Sequence, residues 1–228
     1  MKNFKSNINY FNKWEGLPTL GLCMIVVGFV SLWMAQSYLM YLGGGALIIG
    51  GFIVFIWGNS GRSNEGEIMA EIKRRTEGIE FSEVEKDHHF HKRVPAKEEI
   101  MDFAGFVLRE GVMLKKMKNG SVCSSEYCLV RAYILTDAFY IKSRTFSLVS
   151  EEENNVTDEI LFSTVEDIKV ERDRKTIAFG KKQFSVSICN IAIVYDGGKT
   201  LLLPAKDDAY VDDVAAKLKK IADEGKTA

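Results

Sequence analysis

Histidines, cysteines and clustered basic side chains are the residues of this 228-residue chain whose types could do chemistry. The three histidines, His88, His89 and His91, crowd into one charge-rich, weakly periodic stretch. Structural metal sites draw spaced ligands together from a fold, which adjacent loop imidazoles do not provide, so no metal centre is expected. The four cysteines are Cys23, Cys123, Cys128 and Cys189, and they lack the close pairs of a zinc site. A nucleophilic thiol needs a base beside it, and the histidines lie elsewhere in the chain. No glycine-rich loop carries the Lys and Ser or Thr of a phosphate-binding loop. No catalytic residue and no cofactor are therefore expected. Lys73, Arg74 and Arg75 form a basic run suited to anionic headgroups at a membrane surface, or simply to setting topology on a solvated face.

The elements that would carry these residues follow from the distribution of charge. Residues 1–61 hold three basic side chains (Lys2, Lys5, Lys13) and one acidic (Glu15), with none from 16 to 61; the remainder holds 27 basic and 30 acidic. A purely soluble protein is excluded by the first part. Nucleic-acid binding is not expected of the second, because that needs a basic face. Residues 17–35 and 38–57 are two uncharged runs, each long enough as a helix to cross a hydrocarbon core, and the Gln36-Ser37 link forces a hairpin. Basic residues flank both outer ends and the link has none, which predicts a multi-pass protein of the cell membrane with both termini cytoplasmic. Trp14 and Trp57 fall at one interface, and Trp33, Tyr38 and Tyr41 at the other. Gly43, Ala46 and Gly50 on the second span, with Gly21, Gly28 and Ala35 on the first, are small-residue stripes for helix packing, within the hairpin or against another chain. No Asp, Glu, Lys, Arg or His lies in either span to carry ions.

Residues 62–97 read as a connector: flexible at first, then helical from 67 to 75 with Ile68 and Ile72 one turn apart and Glu71 poised to pair with Arg75. Residues 98–228 read as a β-rich domain. Residues 98–117 predict a short helix leading into a strand. Strands over 129–136 and 138–142 flank a turn at Asp137, and two short strands surround Ser163-Thr164. Along 184–195 the apolar parity shifts, which predicts a bulge near Cys189-Asn190, and Asp196-Gly197-Gly198 supplies the next turn. Val211, Val214, Leu218 and Ile221 set one face of a terminal amphipathic helix. Antiparallel strands capped by one helix make an α+β sandwich or partly open barrel.

The runs GFVLREGVMLKK, LVRAYILTDAFYIKS, ILFSTVEDIKVERD and TLLLPAKDDAYVDDVAAKLKKI together resemble the pleckstrin-homology superfold in its GRAM-like and bacterial forms. The resemblance implies a binding or scaffolding module rather than an enzyme. It also implies a headgroup site at Lys115, Lys116 and Lys118, with Lys142 and Arg144 on a following strand; the second strand contributes only Arg131. The expectation is an integral membrane protein presenting this domain to a protein partner, to a second copy of itself or to anionic lipid. The alternatives are an enzyme subunit completed by another chain and an accessory subunit of a transporter.

Overall fold

The computed structural model describes residues 4–13, 16–77 and 100–226. His88, His89, His91, Trp14 and Lys2 lie outside them. The chain is α+β and divides into two compact units, residues 1–68 and 69–228.

In the first unit, α2 (Leu17–Trp33) and α3 (Tyr38–Asn59) pack along their length as an antiparallel pair. Among the described residues α3 is the one helix that is, by itself, long and apolar enough to cross a membrane, with a mean hydropathy of 2.2. Its apolar side chains point outward: Leu39, Ile49, Ile53 and Ile56 are all more than 60% exposed. The first apolar helix ends at Trp33, two residues short of the expected span, because Ala35 already lies in the link.

The packing stripe differs from the one expected. Gly21 and Gly28 of α2 face Gly51 and Gly44 of α3, and a Cβ on any of the four would sit within 3.0 Å of a facing backbone atom. Gly44, Gly51 and Gly58 are buried at intervals of seven, the spacing at which a helix returns to one seam. Gly43 has open space around it, Ala46 is exposed, and Gly50 meets only the end of Met24 at 3.5 Å. The step of three and four was real, but it marked the neighbouring face.

One helix escaped the sequence reading. α1 (Phe4–Asn12) buries Tyr10 and Phe11, and its polar residues close the end of α3. Asn9 Nδ2 donates to Gly61 O at 2.7 Å, and Ser63 Oγ donates to Asn7 Oδ1 at 2.7 Å. Lys13 Nζ donates to Trp57 O and Ser60 O, each at 2.9 Å, and sits 5.2 Å from the centre of the Trp57 ring. A cation on the unpaired carbonyls of a helix end is favoured by the helix dipole. The connector helix α4 (Glu65–Glu77) starts at a reciprocal cap, Asn64 Oδ1 accepting from Glu67 N and Glu67 Oε2 accepting from Asn64 N.

The second unit is built on two antiparallel sheets. The first has the order β1 (Ile100–Phe106), β4 (Glu126–Ile134), β5 (Ala138–Ser147), β6 (Glu153–Leu161). The second has β7 (Val165–Phe179), β8 (Lys182–Tyr195) and β9 (Lys199–Pro204). A single 3-10 turn, Phe162–Thr164, joins them at the expected polar break. A two-stranded hairpin of β2 (Leu114–Lys116) and β3 (Val122–Ser124) is inserted between β1 and β4. The terminal helix α5 (Val211–Gly225) buries Val211, Ala215, Leu218 and Ala222 against the main core, where it meets residues of both sheets such as Val130, Ile141, Ile168 and Ile193. Alternate β4 side chains, Leu129 and Tyr133, are buried in a second cluster with Leu135 and Ala138. Burial on both faces explains the nearly continuous apolar run over residues 129–135.

Two expectations fail here. Residues 100–106 are strand and not helix, because Met101 and Phe103 alternate into the core while Asp102 lies opposite Arg131. No bulge occurs at Cys189-Asn190: pairing with β7 is continuous there, and the register shifts between Val165 and Asp167. The parity change has another cause. Phe184, Val186 and Ile188 pack with β2, β3, Ile177 and Phe179, whereas Cys189, Ile191 and Ile193 pack in the main core. The β7–β8 ribbon thus gives opposite faces to two cores. The turn at 196–198 is as expected, with positive φ at all three residues, including Asp196 at 53°.

Candidate functional site

The five basic residues expected to share a headgroup site lie on different elements, Lys115, Lys116 and Lys118 on the β2–β3 hairpin and Lys142 and Arg144 on β5. Lys115 is 7% exposed and paired across the β2–β3 hairpin with Cys123, whose Sγ approaches Lys115 O at 3.4 Å. It is therefore removed from the accessible set. Alternation on a strand turns consecutive side chains to opposite faces, so Lys116 remains exposed, and so does Lys118 in the loop. That loop is internally braced: Met117 N donates to Ser121 O at 2.8 Å, Ser121 N donates to Asn119 Oδ1 at 3.0 Å, and Gly120 takes a φ of 87°.

Lys142 and Arg144 lie on β5 in the first sheet, in register with Arg131 and Leu129 respectively. Arg144 is held by Glu153 at 2.6 Å, and this guanidinium keeps the Glu153 carboxyl below its ordinary range. Arg131 binds both oxygens of Asp102, at 2.7 and 2.8 Å, which raises its pKa further. Two-point pairing of this kind ties up the donors a phosphate would need.

The run at 73–75 is also internally engaged. Arg74 binds Glu71 at 2.8 and 3.0 Å and Lys73 lies 3.5 Å from Glu77. Arg75 turns the other way. It donates to Glu71 Oε1 at 3.0 Å and to Ser147 O at 2.8 Å, and its guanidinium stacks 5.0 Å from the Phe146 ring centre. With a side chain only 12% exposed, it fastens the end of α4 to β5 and offers little to a membrane surface.

The sequence reading missed a second pair of lysines. β7 and β8 form the longest hairpin of the domain, and its turn is Gly180-Lys181, followed by Lys182. Phe179 and Phe184 flank that turn and pack into the same cluster as Leu114 and Val122 of the β2–β3 hairpin. The two hairpin ends thus share one apolar base. The pattern Phe-Gly-Lys-Lys-Gln-Phe carried the signal, but only the packing of residues some 60 positions apart pairs it with Lys116 and Lys118.

Two clefts lie among the described residues. One of about 200 Å³ is lined by Arg109, Glu126, Phe146, Ser147 and Glu153, and its Arg109 is bound to Glu126 at 2.8 Å. The other, about 310 Å³, lies between the edge strands β1 and β9 beneath α5, with Phe103, Pro204, Tyr210 and Val214 among its walls. Burial pushes the Cys128 and Cys189 thiols up, which keeps them protonated and poorly nucleophilic. Among the described residues, no group of three or more His, Cys, Asp or Glu converges. No protein-family profile, no curated protein and no solved structure matches this chain.

Proposed function

We propose that this protein is a membrane-anchored binding module: α2 and α3 form a hairpin in the bilayer, and residues 100–226 form a pleckstrin-homology-like domain that engages a protein partner or anionic lipid and does no chemistry of its own. The carrying observation is the division of the chain into an apolar helical unit with outward-facing side chains and a separate charged β unit with its own core. Exposed apolar surface on that scale needs lipid or another protein to cover it.

The strand order supports the superfold. Leaving aside the β2–β3 insertion, four antiparallel strands are followed by three more and by one helix over the joint core, as in that fold. The basic flanks support cytoplasmic termini. Burial holds the Cys128 and Cys189 thiols protonated, which favours recognition over catalysis. The experiment is fractionation of cells expressing the full chain or the chain lacking residues 1–61. The full chain should stay with membranes through alkaline carbonate washing, and the truncated chain should appear in the soluble fraction. Release of the full chain by carbonate would refute the anchor.

A further inference from the structure

We propose that the loop joining β2 to β3 is a self-modifying site, in which Gly120 N displaces the side-chain amide of Asn119 and, with water as co-reactant, converts that residue to isoaspartate and aspartate. The inference stands apart from the binding reading above, because it needs neither a partner nor the bilayer.

The chemistry begins in the sequence. Asn119-Gly120 is the single Asn-Gly step of the chain. Asparagine is thermolabile, and a following glycine, having no Cβ, leaves its nitrogen open to approach the neighbouring side chain. Attack of Gly120 N on Asn119 Cγ closes a five-membered ring. The new N–C bond forms as the amide proton passes to water, and the Cγ–Nδ2 bond breaks as ammonia leaves with a proton from water. A second water molecule then opens the ring at either carbonyl, giving isoaspartate or aspartate. Nucleophile and electrophile belong to adjacent residues, so no second reactant has to be captured for ring closure.

The fold adds what the Asn-Gly step alone lacks. Negative charge develops on Asn119 Oδ1 during the attack, and two donors already point at that atom, Ser121 N at 3.0 Å and Ser121 Oγ at 2.7 Å. The other acceptor near that hydroxyl, Met117 Sδ, is farther away, at 3.5 Å. Paired donors on a developing oxyanion are the arrangement that stabilises tetrahedral intermediates of acyl transfer. Asn119, Gly120 and Ser121 are all exposed, so water reaches the site. The Gly120 amide is retained by a neutral turn bond to Met117 O at 3.0 Å. The turn at Asp196-Gly197 shows the contrast. There Lys199 Nζ holds Asp196 Oδ2 at 3.0 Å, and Gly197 N donates to Glu166 Oε1 at 2.6 Å. The electrophile is a paired carboxylate, and the nucleophile is held by a stronger, charge-assisted bond. Conversion at Asn119 adds a negative charge next to Lys118. As isoaspartate it also adds a backbone carbon inside the turn that the Met117 N to Ser121 O bond closes.

The test incubates the full chain in detergent micelles at pH 7 and pH 8. Each asparagine is followed by peptide mass spectrometry, and isoaspartate is identified by isoaspartyl methyltransferase labelling. Asn154 and Asn155, both exposed, serve as internal references. Asn119 should convert about tenfold faster than either, and faster at pH 8 than at pH 7 because the attacking nitrogen must lose its proton. The peptide holding Asp196 should stay unlabelled. Ser121→Ala removes one donor and keeps the backbone N–H, and it should slow conversion about tenfold, whereas Ser121→Thr restores the hydroxyl and should keep the parent rate. Conversion at Asn119 no faster than at the two references would overturn the proposal. So would equal rates in the parent chain and Ser121→Ala, which would leave the donors without a role, or a Ser121→Thr rate as low as that of Ser121→Ala.

Discussion

Gly28 and Gly43 are the same residue type fifteen positions apart, and their surroundings give them opposite mutational consequences. A Cβ at Gly28 would lie 2.8 Å from Gly44 O, whereas at Gly43 it would meet nothing within 4 Å. Gly28→Ala should therefore force α2 and α3 apart at a cost of about 1–3 kcal/mol, and Gly43→Ala should be neutral or slightly stabilising through helix propensity. Thermal unfolding of both variants in one detergent checks the contrast. Charge at single residues gives a second prediction. The carboxyl of Glu153 is held below its ordinary 4.5 by the hydrogen bond from Arg144. A carboxylate with a depressed folded pKa adds stability that is complete above the ordinary value and lost as pH falls through the folded one. Glu153→Gln should lower stability at pH 7 by about 1 kcal/mol or less, because the pair is partly exposed, and the deficit should disappear in acid. Melting of both proteins from pH 7 to pH 3 tests this; a deficit that persists in acid would assign the effect to packing. At this scale the sequence was least informative. Lys115, Lys116 and Lys118 look alike in the chain, and only strand alternation and the β2–β3 pairing bury the first of them.

Among the elements, those whose signals were local could be read directly. The hairpin across Asp137, the turn at Asp196-Gly197-Gly198 and the terminal helix each depend on residues within a few positions, and each stands where it was expected. β1 was misread because Ile100, Phe103 and Val107 also fit a helical stripe, and the competing contact, Asp102 with Arg131, lies 29 residues away. The parity change in β8 suggests a bulge in the sequence and is instead a switch of face, because the second core it serves belongs to an insertion much earlier in the chain. α1 was overlooked because its reason for forming is to close α3, about fifty residues on. The docking of α5 is the firmest of these elements. Leu218 is fully buried in the main core, so Leu218→Ala should cost about 2–5 kcal/mol and Leu218→Asp more. The neighbouring exposed Lys217→Ala should stay within about 0.5 kcal/mol. Thermal melts of the three variants decide, and indifference to Leu218→Asp would mean the helix is not seated on the sheets.

For the whole molecule, the contrast between an uncharged head and a charged body was legible at once, because it depends on composition and not on contacts. The central claim is that residues 17–59 form a hairpin across a bilayer with the remainder on the cytoplasmic side. Single cysteines test it in full chains whose four native cysteines have been replaced, expressed in intact cells and treated with a membrane-impermeant thiol reagent. Ser37, in the link between α2 and α3, and Ala70, on the exposed face of α4, are the positions to use; Ser63 is unsuitable because it is buried against Ser6 and Asn7. The account predicts that Ser37→Cys is labelled from outside while Ala70→Cys reacts only after the cells are opened. Labelling of Ala70→Cys in intact cells, with Ser37→Cys protected, would contradict it.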